Sequence, residues 1–282
     1  MLLFPSACVI LVAAPTKSVI LRYKYVPGQT RRYKLHTVMD TILLPAAPGS
    51  HLPLTVTIDM VIRQTVQKVR ASDGAATSIG QVEEFHVFSN GKETALPYLS
   101  SAQMKWPYTV VSLPNGKVLS VQLSAPPPGL ADLYPGKEFN SPTITFPSHP
   151  VKIGDSWIGT TAAPTGPSVL LTNTLTGFDT ANGALSAIIQ QKTVGTLKRA
   201  NLTGTMTGEG TLIFDIGSGA ISRLAAVSKV DLKMNPVTPK MDAAPGNILN
   251  VADTSPQTTL EQKTQVTMTS LEDTQSKLAP KP

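Results

Sequence analysis

Apolar and polar residues trade places along most of this chain with a period of two, the spacing that puts alternate side chains on opposite faces of a strand. Leu21, Tyr23 and Tyr25 alternate with Arg22 and Lys24, and Tyr33 and Leu35 alternate with Arg32, Lys34 and His36. Further on, Leu54, Val56, Ile58, Met60 and Ile62 oppose Thr55, Thr57, Asp59 and Arg63. The pattern predicts strands over 18–25, 30–43, 54–70, 75–88, 108–113, 118–123, 155–161, 168–178, 184–197, 202–214, 220–233 and 258–271. Turn signals at Pro27-Gly28, Asp73-Gly74, Asn90-Gly91, Pro114-Asn115-Gly116, Asn182-Gly183 and Gly217-Ser218-Gly219 separate them. The first two segments read as a hairpin around Pro27-Gly28 with one aromatic face and one basic face. Residues 94–105 are the one place for a short helix, and Pro97 weakens it.

The plan repeats. Val26-Pro27-Gly28-Gln29-Thr30, an alternating stretch broken at Asp73-Gly74, and Pro114-Asn115-Gly116 are echoed by Lys152-Ile153-Gly154-Asp155-Ser156, a stretch broken at Asn182-Gly183, and Gly217-Ser218-Gly219. Val69, Ala75, Thr77, Ile79 and Gln81 align with Phe178, Ala184, Ser186, Ile188 and Gln190. The expected fold is all-β: two similar halves of mainly antiparallel, curved sheets, as a sandwich or partly open barrel, with little helix. The halves span 18–124 and 148–272, joined by a proline-rich connector over 125–147 and followed by a tail over 273–282.

Composition agrees. Of the 282 residues 41% are hydrophobic and only 15% charged, with 24 prolines and 20 glycines, a globular chain rich in short turns. Net charge is +6, and Lys17, Arg22, Lys24, Arg31, Arg32 and Lys34 account for it before the first acidic residue, Asp40. The apolar run at the start, within a segment 1–17, is too short for a membrane helix but fits a secretory signal, placing the protein in the periplasm or outside the cell. No basic residue precedes that run, and Pro15 fits poorly just after a cut at Ala14. Cys8, the single cysteine, lies in the run, and the apolar residues that continue past it argue against lipid anchoring.

The segment His149-Pro150-Val151-Lys152-Ile153-Gly154-Asp155-Ser156-Trp157 resembles one in a family of exported bacterial β-rich proteins, a domain of unknown function. Gly208-x-Gly210-Thr211-Leu212-Ile213-Phe214-Asp215 and Tyr25-Val26-Pro27-Gly28-Gln29 are similar to other segments of those proteins. The resemblance implies location and fold and hands over no catalytic residue. Physically, Gly154 permits a tight turn, Asp155 bonds its own backbone there, and Trp157 anchors the strand that follows.

Candidate chemistry is sparse. His36, His51, His86 and His149 lie on separate elements, and Glu84 with His86 supply too few donors for a metal. Gly217-Ser218-Gly219 lacks a nucleophile elbow, and Thr203 to Thr211 lacks the ending of a phosphate loop, so its glycines mark a bulge or bend. The reading is a non-enzyme with no cofactor and no metal. Arg22, Lys24, Arg32, Lys34 and His36 form a basic face that either meets an anionic envelope surface or polymer or is simply solvated. Nucleic acid is not expected, because the tyrosines that would stack bases fall on the other face. Two functions remain open: an envelope protein that holds an apolar or lipid-like molecule in a concave sheet, and a structural or interaction protein with a fully packed core.

Overall fold

The computed structural model describes residues 18–44, 52–94, 107–123, 144–162, 168–180, 184–199, 202–234 and 258–271. The segment 1–17, the helix expected over 94–105 but for Thr94, most of the connector, the Asn182-Gly183 turn and the tail lie outside the described residues. Twelve strands form: β1 (Thr30–Leu44), β2 (Leu52–Val69), β3 (Ala76–Ser89), β4 (Lys92–Glu93), β5 (Tyr108–Ser112), β6 (Val118–Leu123), β7 (Ser156–Ala162), β8 (Ser168–Asp179), β9 (Ser186–Arg199), β10 (Leu202–Asp215), β11 (Ala220–Met234) and β12 (Thr258–Leu271). All ladders are antiparallel and join one sheet in the order β6-β5-β3-β2-β1-β12-β11-β10-β9-β8-β7, with β4 attached to β3.

The repeat is built into the backbone. Gly28 N–H donates to Val66 O and Val66 N–H to Gln29 O; in the second half Gly154 N–H donates to Leu175 O and Leu175 N–H to Asp155 O. Both glycines take positive φ, 81° and 94°. One residue past the anchored position each partner strand carries an unpaired extra residue, Gln67 in β2 and Thr176 in β8. The β5–β6 and β10–β11 hairpins match as well, with Leu119 and Ser222 as the extra residues and Gly116 and Gly219 at φ 87° and 62°. Each bulge bends its strand and raises the twist. Strands β1, β2, β3, β5 and β6 thus correspond to β7, β8, β9, β10 and β11, and β12 has no counterpart. It fills the joint between β1 and β11; no described strand fills the joint between β6 and β7.

The expected hairpin of 18–25 with β1 does not form. The neighbours of β1 are β2 and β12, which occupy both of its edges. Residues 18–25 run instead across one end of the sheet, with a β-bridge from Val19 to Val151. Tyr23 N–H donates to Pro114 O at 2.7 Å, and the next amide, Lys24 N–H, to Gly219 O at 3.2 Å. Those carbonyls belong to the β5–β6 and β10–β11 turns, on strands six places apart in the sheet. Flat, they would stand about 29 Å apart at ~4.8 Å per strand, yet adjacent residues, about 3.8 Å from Cα to Cα, reach both. The sheet is therefore rolled at this end. Thr145 and Phe146 hold its two edges together there: Phe146 N–H donates to Asn115 O, and Trp157 Nε1–H to Thr145 O at 3.0 Å.

The main core fills the rolled end. Leu21, Tyr23, Tyr33, Ile144, Phe146, Leu175, Ile189, Leu212, Phe214, Ile221 and Met268 are buried together, so both halves share it. Phe146 and Phe214 meet edge to face at 4.7 Å, with Tyr23 against both rings. Ile144 and Phe146 make the end of the expected connector part of the core. A second cluster, Ile62, Val82, Tyr108 and Val110, adjoins through Leu35.

Candidate functional site

Residues directly opposite in a ladder share a face, so the registers trace each face of the sheet across its strands. The inner face follows Leu35, Met60 and Phe85 on one side and Met268, Leu224, Leu212, Ile189 and Leu175 on the other. Away from the capped end the same face continues through Met39, Val56 and Ile58, then Val266, Val230, Leu232 and Met206, and then Leu171 and Val169. These side chains are half-buried and belong to neither core cluster.

The outer face carries the charge. Lys34, His36, Asp40, Asp59, Glu84, His86, Lys192, Glu209, Arg223, Lys229, Asp231, Glu261 and Lys263 all register there. Among the described side chains of the strands, Lys92 on β4 registers inward, opposite Ser89, and so does Arg31 on β1. Arg31 sits at the capped end, where its guanidinium donates to Lys24 O at 2.8 Å and Ser218 O at 3.0 Å. Residues on β10 and β11 show the two environments in turn: the inward-facing residues Gly204, Met206, Gly208, Ser228 and Val230 are half-buried, and Thr205, Thr207, Glu209, Val227 and Lys229 between them are exposed.

Small residues thin the inner face over β9, β10 and β11. A Cβ on Gly208 would stand 3.1 Å from Ser228 Cβ, and one on Gly210 2.9 Å from Ala226 Cβ, so the two strands approach too closely for side chains there. The glycine-rich stretch expected to mark a bulge or bend marks this close approach, and a bulge falls just beyond it, at Ile213/Phe214. The open hollows over these strands, of about 370 and 420 Å³, are lined mostly by outward-registering residues, among them Lys192, Glu209 and Lys229 around the first and Gln190, Thr211 and Gln265 around the second.

The basic residues singled out from sequence are not gathered into one face. Arg22 and Lys24 are exposed on the capping segment, and Lys24 Nζ donates to Gly217 O at 2.8 Å. On β1, Arg32 pairs with Glu83 at 2.7 Å, and the same carboxylate meets Arg63 at 3.3 Å. His36 Nδ1 lies 2.7 Å from Asp59 Oδ1, and Lys34 is exposed between them. Glu83 was missed because it is the extra residue of a β3 bulge at Val61/Ile62, which adds a carboxylate to the outer face beside Glu84. His86 pairs with Glu93 at 2.8 Å. No group of three His, Cys, Asp or Glu that could hold a metal ion occurs among the described residues. Asp155 behaves as expected, its Oδ2 accepting Lys152 N–H at 3.0 Å.

Burial, not charge, governs the strongest shifts in acidity. It pushes the Tyr108 hydroxyl up to about 12 and that of Tyr23 higher still, with Tyr25 and Tyr33 raised for the same reason. At the Asp73 turn, hydrogen bonds from Arg70 and the Ala75 amide lower the carboxyl to about 2.

One inner-face residue escaped the sequence reading. Asn173 is fully buried on β8, between Leu175 and Leu171, and Gln191 Nε2 donates to its Oδ1 at 2.8 Å. Its Nδ2 has no hydrogen-bond partner.

No family model matches the sequence, and no curated protein matches it. Among solved structures the chain is similar to one described as lipid–protein interactions in lipovitellin, with 10% identity and a TM-score of 0.46 over 89% of this chain and 26% of that one. The chain spans about a quarter of that protein's length, and a likeness at this TM-score says nothing of what the chain binds.

Proposed function

We propose that this chain is an exported, non-catalytic protein of a bacterial cell envelope that holds an apolar or lipid-like molecule against the inner face of its rolled sheet. The observation that carries the reading is the sidedness of the sheet: beyond the capped end the described charged side chains outside the short β4 register outward, and a half-buried apolar surface registers inward. A surface of this kind gains free energy by covering itself, at about 25 cal/mol per Å² of apolar area removed from water. The joint between β6 and β7, where no described strand runs, gives such a molecule a lateral route, and binding sites favour the mouths of barrels. Export is supported by the apolar run that opens the chain.

The test is native mass spectrometry of the protein purified from a Gram-negative host, followed by lipid extraction and by intact-mass measurement of the processed chain. A co-purifying lipid at a fixed ratio is expected. Apo protein that takes up no lipid or hydrocarbon when supplied in excess would overturn the reading. Full-length chain recovered only from the cytoplasm would overturn export.

A further inference from the structure

Asn173 lies at the boundary between the packed cap and the apolar stretch. A Cβ on Gly159 would sit 3.3 Å from its Nδ2 and 3.8 Å from Leu171 Cδ2. Gly159 pairs with Leu171, and Trp157 with Asn173, so the amide leans away from the cap, over the bare backbone of Gly159 on the edge strand. Its oxygen is used by Gln191, and its nitrogen is a fully buried donor without a partner. A buried donor left without an acceptor destabilises the fold until something supplies one. Across β9, β10 and β11 the neighbouring inner-face row carries only small side chains, Thr193, Gly208 and Ser228.

We propose that Asn173 is the polar anchor of the site, its Nδ2 donating to the carbonyl oxygen of a neutral acyl lipid of the monoacylglycerol class whose chain runs along the inner face. The proposal rests on the lipid-binding reading above. Neutrality follows from the lining around Asn173: over 169–175, 187–195, 204–212 and 224–232 no Lys, Arg or His registers inward, and an anionic headgroup buried there would lack a counter-charge. The acyl carbonyl supplies the acceptor that the amide lacks.

The experiment compares monoolein with pyrene, a hydrocarbon without an acceptor, on delipidated full-length protein and its Asn173→Leu variant, and follows the Asn173 side-chain amide by ¹⁵N NMR in wild type. Expected are equal pyrene binding by both proteins, monoolein binding weakened roughly five- to tenfold in the variant, and an amide resonance that moves with monoolein and not with pyrene. Loss of both probes to the same degree would assign Asn173 a structural role and overturn the proposal. So would an amide unmoved while monoolein binds, the result for a donor satisfied by water. Wild type that binds neither probe would sink the lipid-binding reading itself, a result distinct from the other two.

Discussion

The Tyr23 hydroxyl accepts the Ile144 backbone N–H at 2.9 Å, joining the two capping segments where both are buried. Removing the oxygen strands a buried amide. Tyr23→Phe is expected to cost about 1–3 kcal/mol, read as a lower urea midpoint with an unchanged slope. An unchanged midpoint would mean that the cap does not depend on this bond.

Gly28 and Gly116 take nearly the same backbone conformation, φ 81° and 87°, in very different surroundings. A Cβ on Gly28 meets nothing within 4 Å, whereas one on Gly116 would fall 2.0 Å from the Ile144 carbonyl oxygen. Gly28→Ala should therefore cost only the conformational strain, about 1–2 kcal/mol. Gly116→Ala should cost clearly more, because the cap must move as well. Equal losses in thermal melts would contradict the packing of 144–146 against this turn.

Alkali should open the protein through its tyrosines. Burial raises the hydroxyl of Tyr108 from 10.0 to about 12, so the folded state holds its proton more tightly than the unfolded chain does. The stability this contributes is fully present below pH 10.0 and declines as pH rises toward about 12. Circular dichroism and tyrosinate absorbance should change together across that window, and full titration of the tyrosines with the sheet intact would contradict their burial.

Met206 and Thr207 are adjacent on β10 and face opposite ways, Met206 half-buried with Val230 and Thr207 exposed with Lys229. Met206→Glu should abolish binding of a hydrophobic fluorophore, and Thr207→Glu should leave it within about twofold, since one residue along a strand exchanges faces. The same loss in both variants, with the fold intact by circular dichroism, would remove the inner face as the binding surface.

Strand positions were legible in the sequence because alternation and turn chemistry are local. Asp73-Gly74 and Asn90-Gly91 turn with Gly74 at φ 71° and Asn90 and Gly91 at 49° and 78°, as such pairs do. The aromatic side of 18–25 was legible too, since Leu21 and Tyr23 are buried while Arg22 and Lys24 are exposed. Partnership was not. Residues 18–25 stand next to β1 in sequence, but the partners of β1 come from residues 52–65 and 259–271, and no local signal marks β12 as the strand between β1 and β11. The partners of the basic residues were not legible for the same reason: Glu83, Asp59 and Gly217 reach Arg32, His36 and Lys24 only through tertiary pairing. Asn173 left no trace, because a polar residue in an alternating run looks like any other polar residue until its burial is known.

The placement of β12 sets the order in which the molecule can be completed. The β1–β12 ladder ties Arg32 to Leu271, at opposite ends of the strand-forming chain, and every ladder that joins the two halves within the sheet runs through that strand. During synthesis each half can form its own meander early, but the roll stays in two pieces until the last strand in sequence arrives. Contacts this distant are slow to form because the loop entropy must be met before the pairing rewards it. Truncation just before residue 258 should therefore leave two separate sheets with their inner edges exposed, a species prone to pair with other copies.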